Sequence, residues 1–300
     1  FAITVARGSS DHACTYLKYA AELLMGLPVA SVGPSVASIY GARLNVANSV
    51  CISVSQSGKS PDIVELTRNA RAGGAVAVAL TNNPDSDLAE VASATLDIHA
   101  GPELSVAATK TFVTSAVAGL WVLARLKGDA DLLAAINDLP KALEGATQTN
   151  WSPVIDAIGG GDSLFTLGRG PSWAMSNEAA LKFKETCQIH AESYSSAEVL
   201  HGPVSIVDQG FPVLACAAAD AAEDAVVDVA ENIAAKGANV FVTSNKVRSA
   251  NSLQHVRTGH WLTDPISLIV SFYAMVEQVA ASRGINPDMP RHLNKVTETV

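Results

Sequence analysis

The feature that most constrains the fold of this 300-residue chain is an internal duplication, in which the sequence matches itself at an offset of about 162 positions. Three segments of the first half align without a gap with segments of the second: 4–10 with 166–172, 50–54 with 212–216, and 76–83 with 238–245. Self-similarity of this kind indicates two copies of one structural unit. We therefore predict two subdomains, 1–145 and 146–300, joined through the segment 139–161.

Each copy alternates short apolar segments with longer helical patterns. In the first copy the pattern predicts strands at 2–5, 29–32, 50–54, 76–81 and 95–99. Helices are predicted at 13–25, from 60 to about 73, at 87–92, at 111–127, at 174–188 and at 266–282. Such alternation is typical of a mainly parallel sheet with helices on both faces. The predicted fold class is α/β, with two tandem, doubly wound parallel-sheet subdomains of flavodoxin-like type.

The composition excludes several functional classes. Hydrophobic residues make up 48% of the chain and charged residues 16%, which indicates a well-buried globular protein. A net charge of −9 argues against a nucleic-acid or anionic-membrane surface, so an anionic ligand would need a local site. No apolar run of membrane-spanning length and no leader sequence is evident, and we expect a cytoplasmic protein. The abrupt start at Phe1 also suggests that a further segment precedes it.

The four cysteines argue against a metal site. Cys14, Cys51, Cys187 and Cys216 form no C-x-x-C pair and have no histidine at ligand spacing. They are predicted to be reduced core residues, and neither a metal nor a cofactor is expected.

The stretch after the third predicted strand has the composition of an anion-binding turn. Residues 55–60 read Ser-Gln-Ser-Gly-Lys-Ser, and Pro61 and Asp62 are typical first residues of a helix. A strand that leads through small residues into a helix N-terminus presents N–H groups and the positive end of the helix dipole to one place. The turn is predicted to bind a phosphate ester, the alternative being an ordinary, well-capped turn. It is neither a Walker loop nor a dinucleotide fingerprint.

The second copy differs from the first at this turn. The equivalent residues, 217–220, read Ala-Ala-Ala-Asp, so the hydroxyl groups are lost and a carboxylate is gained. A turn with a purely structural role has no evident reason to diverge so sharply between copies. The difference favours a functional role for residues 55–60.

The second copy carries its own polar residues. Glu178, Lys182 and Glu185 are spaced i, i+4 and i+7, so they share one face of a helix. Partial burial of this row would shift its pKa values, whereas the alternative is a solvated salt-bridge row. His201 lies on a polar loop before Gly-Pro, where it could transfer protons near neutral pH or simply bind the backbone.

The C-terminal segment 283–300 contains three glycine or proline breaks. It keeps Leu293, Val296 and Val300 for burial and is predicted to pack as an ordered tail. Lys295 could reach a site from this tail, although a lysine near a terminus is commonly solvated.

Together these motifs resemble the double sugar-isomerase (SIS) domain family over essentially the whole chain. The motifs that carry the resemblance are 8–10, 55–60, 106–110, 168–170, 178–185, 190–192, 198–203 and 290–295. Within this family the chain is most similar to the isomerase half of glucosamine-6-phosphate synthase and to the stand-alone glucosamine-6-phosphate deaminases.

The resemblance implies a hexose 6-phosphate or amino-sugar 6-phosphate substrate, bound between the two lobes. The residues implied to hold it are Ser55, Gln56, Ser57 and Ser60 at the phosphate, and Ser10 with the backbone around Val106 and Ala108 at the sugar. Glu185 would move a proton between C1 and C2, with Lys182 beside it. His201 would open the ring, and Lys295 would face the carbonyl near C2. A homodimer that shares the His201 loop across its interface is also implied.

The chain departs from the synthase pattern at three positions, where Ala108, Ala197 and Leu200 replace a serine, a glycine and a lysine. The leading hypothesis is a phosphosugar isomerase/deaminase that converts glucosamine 6-phosphate to fructose 6-phosphate and ammonia. One alternative is a non-catalytic sugar-phosphate-binding regulatory module. Another is the isomerase half of a glutamine-dependent glucosamine-6-phosphate synthase, although no glutaminase with a leading cysteine is present in this sequence.

Overall fold

The computed structural model describes residues 1–295, and its contacts divide the chain into two units. Unit 1 comprises residues 1–128 with the tail from residue 291, and unit 2 comprises residues 129–290. The subdomain limits predicted from the duplication, 1–145 and 146–300, concern the sequence repeat and stay a prediction.

Unit 1 is built on one five-stranded parallel sheet. Its strands are β1 (Ala2–Val5), β2 (Val29–Ser31), β3 (Val50–Ser55), β4 (Val76–Thr81) and β5 (Ala94–Asp97), in the order β2-β1-β3-β4-β5. Its helices are α1 (Ser9–Met25), α2 (Ser35–Ser38), α3 (Pro61–Ala72), α4 (Asp87–Val91) and α5 (Lys110–Lys127). They pack as two groups, α1 with α5, and α3 with α2 and α4.

Unit 2 repeats this plan. Its strands are β6 (Ser163–Gly168), β7 (His190–Ser195), β8 (Pro212–Ala215), β9 (Asn239–Val242) and β10 (Asn251–Ser252), in the order β10-β9-β8-β6-β7. Its helices are α6 (Ala130–Ala146), α7 (Ser152–Ile158), α8 (Pro171–Cys187), α9 (Glu223–Ala234) and α10 (Asp264–Ser282). Two short 3₁₀ segments, Glu198–Leu200 and Pro203–Ile206, follow β7.

The duplication is visible in the backbone. Counted from β7, the strand order of unit 2 is the same 2-1-3-4-5 order as in unit 1. Helices α1 and α8, and likewise α3 and α9, begin and end 162 residues apart. Gly8 and Gly170 precede α1 and α8 with φ of 55° and 58°, a left-handed conformation that favours glycine. The predicted α/β fold class with two tandem copies is confirmed.

The segment 139–161, through which the two copies were predicted to be joined, is mostly helical. Helix α6 continues through Pro140 to Ala146, and α7 follows. Leu139 and Ala146 are buried, and α6 packs on α10 within unit 2. Burial of this apolar face outweighs the backbone hydrogen bond lost at the proline.

Helix α10 is long and apolar enough to cross a membrane by length and composition, which the sequence analysis did not expect. Within unit 2 it is a core helix, since 61% of its apolar window is buried. The ring of Phe272 meets that of Phe183 on α8 edge to face, with centroids 5.2 Å apart. The apolar character of α10 is explained by this packing. The four cysteines are free and buried, as predicted.

Two helical glycines, one in each unit, differ in how closely neighbouring side chains pack against them. A methyl group at Gly119 in α5 would lie 2.4 Å from Cδ2 of the buried Leu17, whereas at Gly145 in α6 the nearest atom, on Val256, is 3.5 Å away. We expect Gly119→Ala to lower the free energy of unfolding by about 1–3 kcal/mol through overpacking. Gly145→Ala should leave it unchanged or raise it by up to about 1 kcal/mol, because alanine favours the helix. Urea unfolding followed by circular dichroism measures both, and equal effects would contradict the prediction.

Candidate functional site

The predicted phosphate turn lies at the point in unit 1 where the strand order reverses. Strands β1 and β3 are neighbours in the sheet, and in folds of this order ligands bind beyond the carboxyl ends of such strands. Ser55, Gln56, Ser57 and Ser60 lie at the end of β3 and in the loop that follows it. Ser10 lies in the first turn of α1, directly after the β1 loop. The structure therefore places these five residues at one edge of the sheet.

The turn has a defined backbone geometry. Gly58 has a φ of 65°, and a Cβ there would lie 2.0 Å from Oγ of Ser86, so the position requires glycine. The buried Ser55 hydroxyl accepts a hydrogen bond from the Gly58 N–H at 3.2 Å. Ser60 is the N-cap residue of α3, but its side chain caps no backbone amide. Ser55 thus shapes the turn, while the partly exposed side chains of Ser57 and Ser60 are open to a ligand.

A salt bridge that the sequence analysis missed joins the two loops. The guanidinium of Arg7, after β1, donates to the carboxylate of Asp62 at 2.5 Å in the first turn of α3. Asp62 is completely buried, and its other oxygen accepts from the Ile63 N–H at 2.9 Å. The sequence offered one indication of this pair, which is that both residues lie in loops or turns that follow the carboxyl ends of neighbouring strands.

A second missed residue, Glu103, organises the loop before α5 that contains Val106 and Ala108. Its carboxylate accepts hydrogen bonds from the N–H groups of Thr109 and Thr111 at 3.0 and 3.1 Å, at the start of α5. Burial alone would raise the pKa of Glu103, but these hydrogen bonds, the Thr111 hydroxyl and the charge of Lys295 together lower it. The loop is therefore anchored by an ionised carboxylate.

Lys295 contacts this same loop. Its Nζ lies 3.6 Å from Oε2 of Glu103 and donates to the carbonyl oxygen of Ser105 at 2.5 Å. Leu293 is 43% exposed, so the predicted burial of this residue is wrong. Val296 and Val300, also predicted to be buried, lie outside the described residues. The structure thus brings Lys295 to the loop of Val106 and Ala108.

In unit 2 the equivalent of the phosphate turn is filled from within. The N–H of Ala219, which corresponds to Ser57, donates to Oδ2 of the buried Asp264 at 2.8 Å. Arg257 binds the same oxygen at 2.6 Å and Oε1 of Glu223 at 3.0 Å. An internal carboxylate and guanidinium therefore occupy this turn, which agrees with the loss of its hydroxyl groups.

The predicted row on α8 is a buried ion cluster and not a solvated one. Nζ of Lys182 lies 3.1 Å from Oε1 of Glu178 and 2.6 Å from Oε2 of Glu185. The side chains of Glu178 and Lys182 are 0% and 1% exposed, whereas that of Glu185 is 21% exposed. Burial alone would lower the pKa of Lys182, but the attraction of both carboxylates outweighs it and raises the pKa. The cluster therefore presents an ionised lysine behind one accessible carboxylate.

His201 lies on the exposed loop after the first 3₁₀ segment, and its backbone N–H donates to the carbonyl of Glu198 at 2.9 Å. Within the described residues, no hydrogen bond or ion pair joins its imidazole to Lys182 or Glu185. The structure thus joins Lys182 to Glu185, whereas His201 makes no hydrogen bond or ion pair with either of them in the described part of the chain. Over residues 1–295, no group of three or more His, Cys, Asp or Glu side chains is arranged to hold a metal ion.

Unit 1 also has an open cleft of about 940 Å³ along α3. Its lining contains both positive and negative side chains, and it includes Lys59 but none of the predicted phosphate-binding residues. Arg68 pairs with Glu65, and Arg71 donates to the carbonyl oxygens of Val91 and Ala92. Because its arginines are already engaged, we do not assign the function to this cleft.

Comparison with known proteins identifies the family. The sequence model of the SIS domain matches residues 2–125 and again residues 160–283. The chain belongs to the SIS domain family. The resemblance inferred from the motifs is thereby confirmed.

The relatives of this SIS protein include an aminotransferase, a candidate phosphosugar isomerase and a deaminase. An isomerizing glutamine–fructose-6-phosphate aminotransferase from Sulfolobus acidocaldarius is 31% identical over 304 residues, covering 98% of this chain and 49% of that protein. This chain spans about half the length of the curated relatives it matches. The crystal structure of a candidate phosphosugar isomerase from Silicibacter pomeroyi DSS-3 is 67% identical, with a TM-score of 0.93 over 96% of this chain and 88% of that one. The glucosamine-6-phosphate deaminase of Thermotoga maritima, 19% identical with a TM-score of 0.82 over 99% and 90% of the two chains, shares the fold.

The Glu103 anchor predicts a pH-dependent stability. Because folding lowers its pKa, the stabilisation by ionised Glu103 is present above the unfolded-state pKa of about 4.3 and is lost as the pH falls through the lower folded-state pKa. We expect Glu103→Gln to lower the free energy of unfolding by about 1–3 kcal/mol at pH 7. At a pH below the folded-state pKa the difference from the wild type should nearly vanish.

Urea unfolding at both pH values measures this effect. The exposed Glu90 on α4 of unit 1 provides a matched control, and Glu90→Gln should change little at either pH. An equal loss from Glu103→Gln at both pH values would show that the anchor does not depend on ionisation.

Proposed function

We propose that this SIS protein is a phosphosugar aldose–ketose isomerase and deaminase that converts glucosamine 6-phosphate and water to fructose 6-phosphate and ammonia. The observation that carries the proposal is the buried Lys182, which holds the accessible carboxylate of Glu185 as a base. A regulatory module that only binds a sugar phosphate has no need of a buried lysine between two carboxylates. The named relatives, which include isomerases and a deaminase of sugar phosphates, support the same class of reaction.

In this proposal, residues of unit 1 hold the substrate by its ends. The phosphate ester is bound by Ser55, Gln56, Ser57 and Ser60, at the turn where α3 directs its N-terminus. Ser10 and the backbone of Val106 and Ala108 bind the sugar hydroxyl groups, and Lys295, fixed by Glu103, faces the carbon that carries nitrogen.

Residues of unit 2 perform the proton transfer. His201 assists opening of the ring by protonating the ring oxygen. Glu185 then removes the proton from C2 of the open-chain sugar and returns it to C1. The aldehyde oxygen gains a proton and the amino nitrogen loses one in the same conversion, which leaves a hydroxyl group on C1 and an imine at C2. Water adds to this imine and ammonia departs, giving fructose 6-phosphate. Lys182 holds the carboxylate of Glu185 in position through the contact of 2.6 Å between Nζ and Oε2. We further propose a cytoplasmic homodimer in which the His201 loop acts in the partner's site.

A second candidate is supported by the length of the relatives. Because the chain matches about half of each aminotransferase, it would serve equally as the isomerase part of a glutamine-dependent synthase. Release of free ammonia from glucosamine 6-phosphate by the chain itself favours the deaminase. Fructose 6-phosphate bound and turned over only with a separate ammonia source favours the synthase part.

The catalytic assignment is tested by Glu185→Gln. We expect kcat for fructose 6-phosphate formation to fall by about 10²–10⁴-fold, because the amide cannot accept the C2 proton. KM should change little, since the phosphate is bound elsewhere. Glu277→Gln, at an exposed glutamate on α10 of the same unit, is the control and should retain wild-type activity. Sugar-phosphate binding with no turnover by the wild-type chain would favour a regulatory module instead.

The phosphate assignment is tested by Ser57→Ala combined with Gln56→Ala. Loss of these groups should raise KM for hexose 6-phosphates by about 10-fold or more with a smaller change in kcat. Affinity for the sugar lacking phosphate should not change. Equal losses for both ligands would place the phosphate away from this turn.

The shared histidine is tested by mixing two inactive variants, Glu185→Gln and His201→Ala, and allowing subunits to exchange. If His201 acts in the partner's site, each mixed dimer has one complete site, and roughly a quarter of the wild-type activity should return. If His201 acts within its own chain, no mixed dimer has a complete site and activity stays absent.

A further inference from the structure

A tyrosine on the apolar helix α10 reaches the ion cluster of α8. The hydroxyl of Tyr273 donates to Oε1 of Glu178 at 3.0 Å. That same oxygen lies 3.1 Å from Nζ of Lys182, which lies 2.6 Å from Oε2 of Glu185. Tyr273, Glu178, Lys182 and Glu185 therefore form one continuous chain of contacts within unit 2.

The chain of contacts has a buried end and an open end. Glu178 is completely buried and Lys182 nearly so, whereas Glu185 is partly accessible. A buried carboxylate needs donors to offset its lost hydration. Tyr273 and Lys182 both contact Oε1 of Glu178, so each supplies part of the stabilisation that this buried oxygen needs.

We propose that Tyr273 is a positioning residue for proton transfer by Glu185, acting through Glu178 and Lys182. The proposal rests on the proposed function, in which Glu185 is the base. Because Tyr273 donates a neutral hydrogen bond to Glu178, the ammonium of Lys182 interacts more strongly with Glu185. Without this donor, Lys182 shifts towards Glu178, and the carboxylate of Glu185 holds its proton more tightly.

Other titratable groups on the elements that pack against α8 are exposed or bound to other partners, so they do not account for the coupling between Tyr273 and Glu185. Helix α8 packs on β6, β7 and α10, and β6 carries no titratable side chain. On β7, His190 is exposed, and Glu192 accepts from the hydroxyl of Tyr194 at 2.6 Å. On α10, Glu277 is exposed and Asp264 is bound by Arg257. The charges that act on Lys182 are those of Glu178 and Glu185.

The test is Tyr273→Phe, which removes the hydroxyl and keeps the ring that packs near Phe272. We expect the acid limb of the pH profile of kcat/KM to move to higher pH by about 0.5–1 unit. At neutral pH kcat should fall by about 2–10-fold with KM unchanged. A readout that needs no turnover is the ¹³C NMR titration of the Glu185 carboxyl, assigned with Glu185→Gln, whose midpoint should move in the same direction.

Two further variants separate positioning from general stability. Tyr194→Phe removes another tyrosine-to-carboxylate hydrogen bond of unit 2 and should shift neither readout. In a Glu178→Gln background, Tyr273→Phe should shift neither readout further, since the route through the Glu178 carboxylate is already broken. An unchanged Glu185 midpoint in Tyr273→Phe, or the same shift in Tyr194→Phe, would overturn the proposal. Absence of wild-type turnover would refute the proposed function alone, because the NMR midpoint still decides the role of Tyr273.

Discussion

The proposed chemistry of this protein depends on the contacts of the buried Lys182 ammonium with two carboxylates. Two carboxylates within 3.1 Å hold it, and a lysine with 1% exposure would otherwise lose its proton to avoid the cost of desolvation. Its charge in turn opposes the negative charges of the buried Glu178 and of Glu185. Removing Lys182 would leave the buried carboxylate of Glu178 without an opposing charge, whereas removing either carboxylate would leave one ion pair.

The two copies of the fold use the same backbone edge for opposite purposes. In unit 1 the turn after β3 keeps accessible serines beside a helix N-terminus, so it can accept an anion from solution. In unit 2 the matching amide, that of Ala219, is bound to the carboxylate of Asp264. The helix N-terminus has the same electrostatic preference in both cases. A side chain satisfies this preference in one copy, and we propose that a substrate phosphate satisfies it in the other.

Much of the fold could be predicted because hydrophobic periodicity and the 162-residue repeat can both be detected in the sequence without knowledge of any tertiary contact. The strands 2–5 and 76–81 and the end of α3 were predicted within a residue. The helices within 139–161 were not predicted, because Pro140 and the polar residues that follow disfavour a helix unless it packs on a tertiary partner. Helix α10 provides that partner within unit 2.

The candidate site, like the fold, could be predicted from the sequence only in part. The sequence alone identified the turn at 55–60 and the shared face of Glu178, Lys182 and Glu185, since strand-turn-helix order and helical spacing depend only on neighbours along the chain. Only the tertiary structure decided that this face is buried, that Arg7 pairs with Asp62, that Glu103 holds Lys295, and that Tyr273 reaches Glu178. These pairs join residues 55 to 192 positions apart, and charge or hydroxyl chemistry at one position carries no information about which distant partner folding will bring to it.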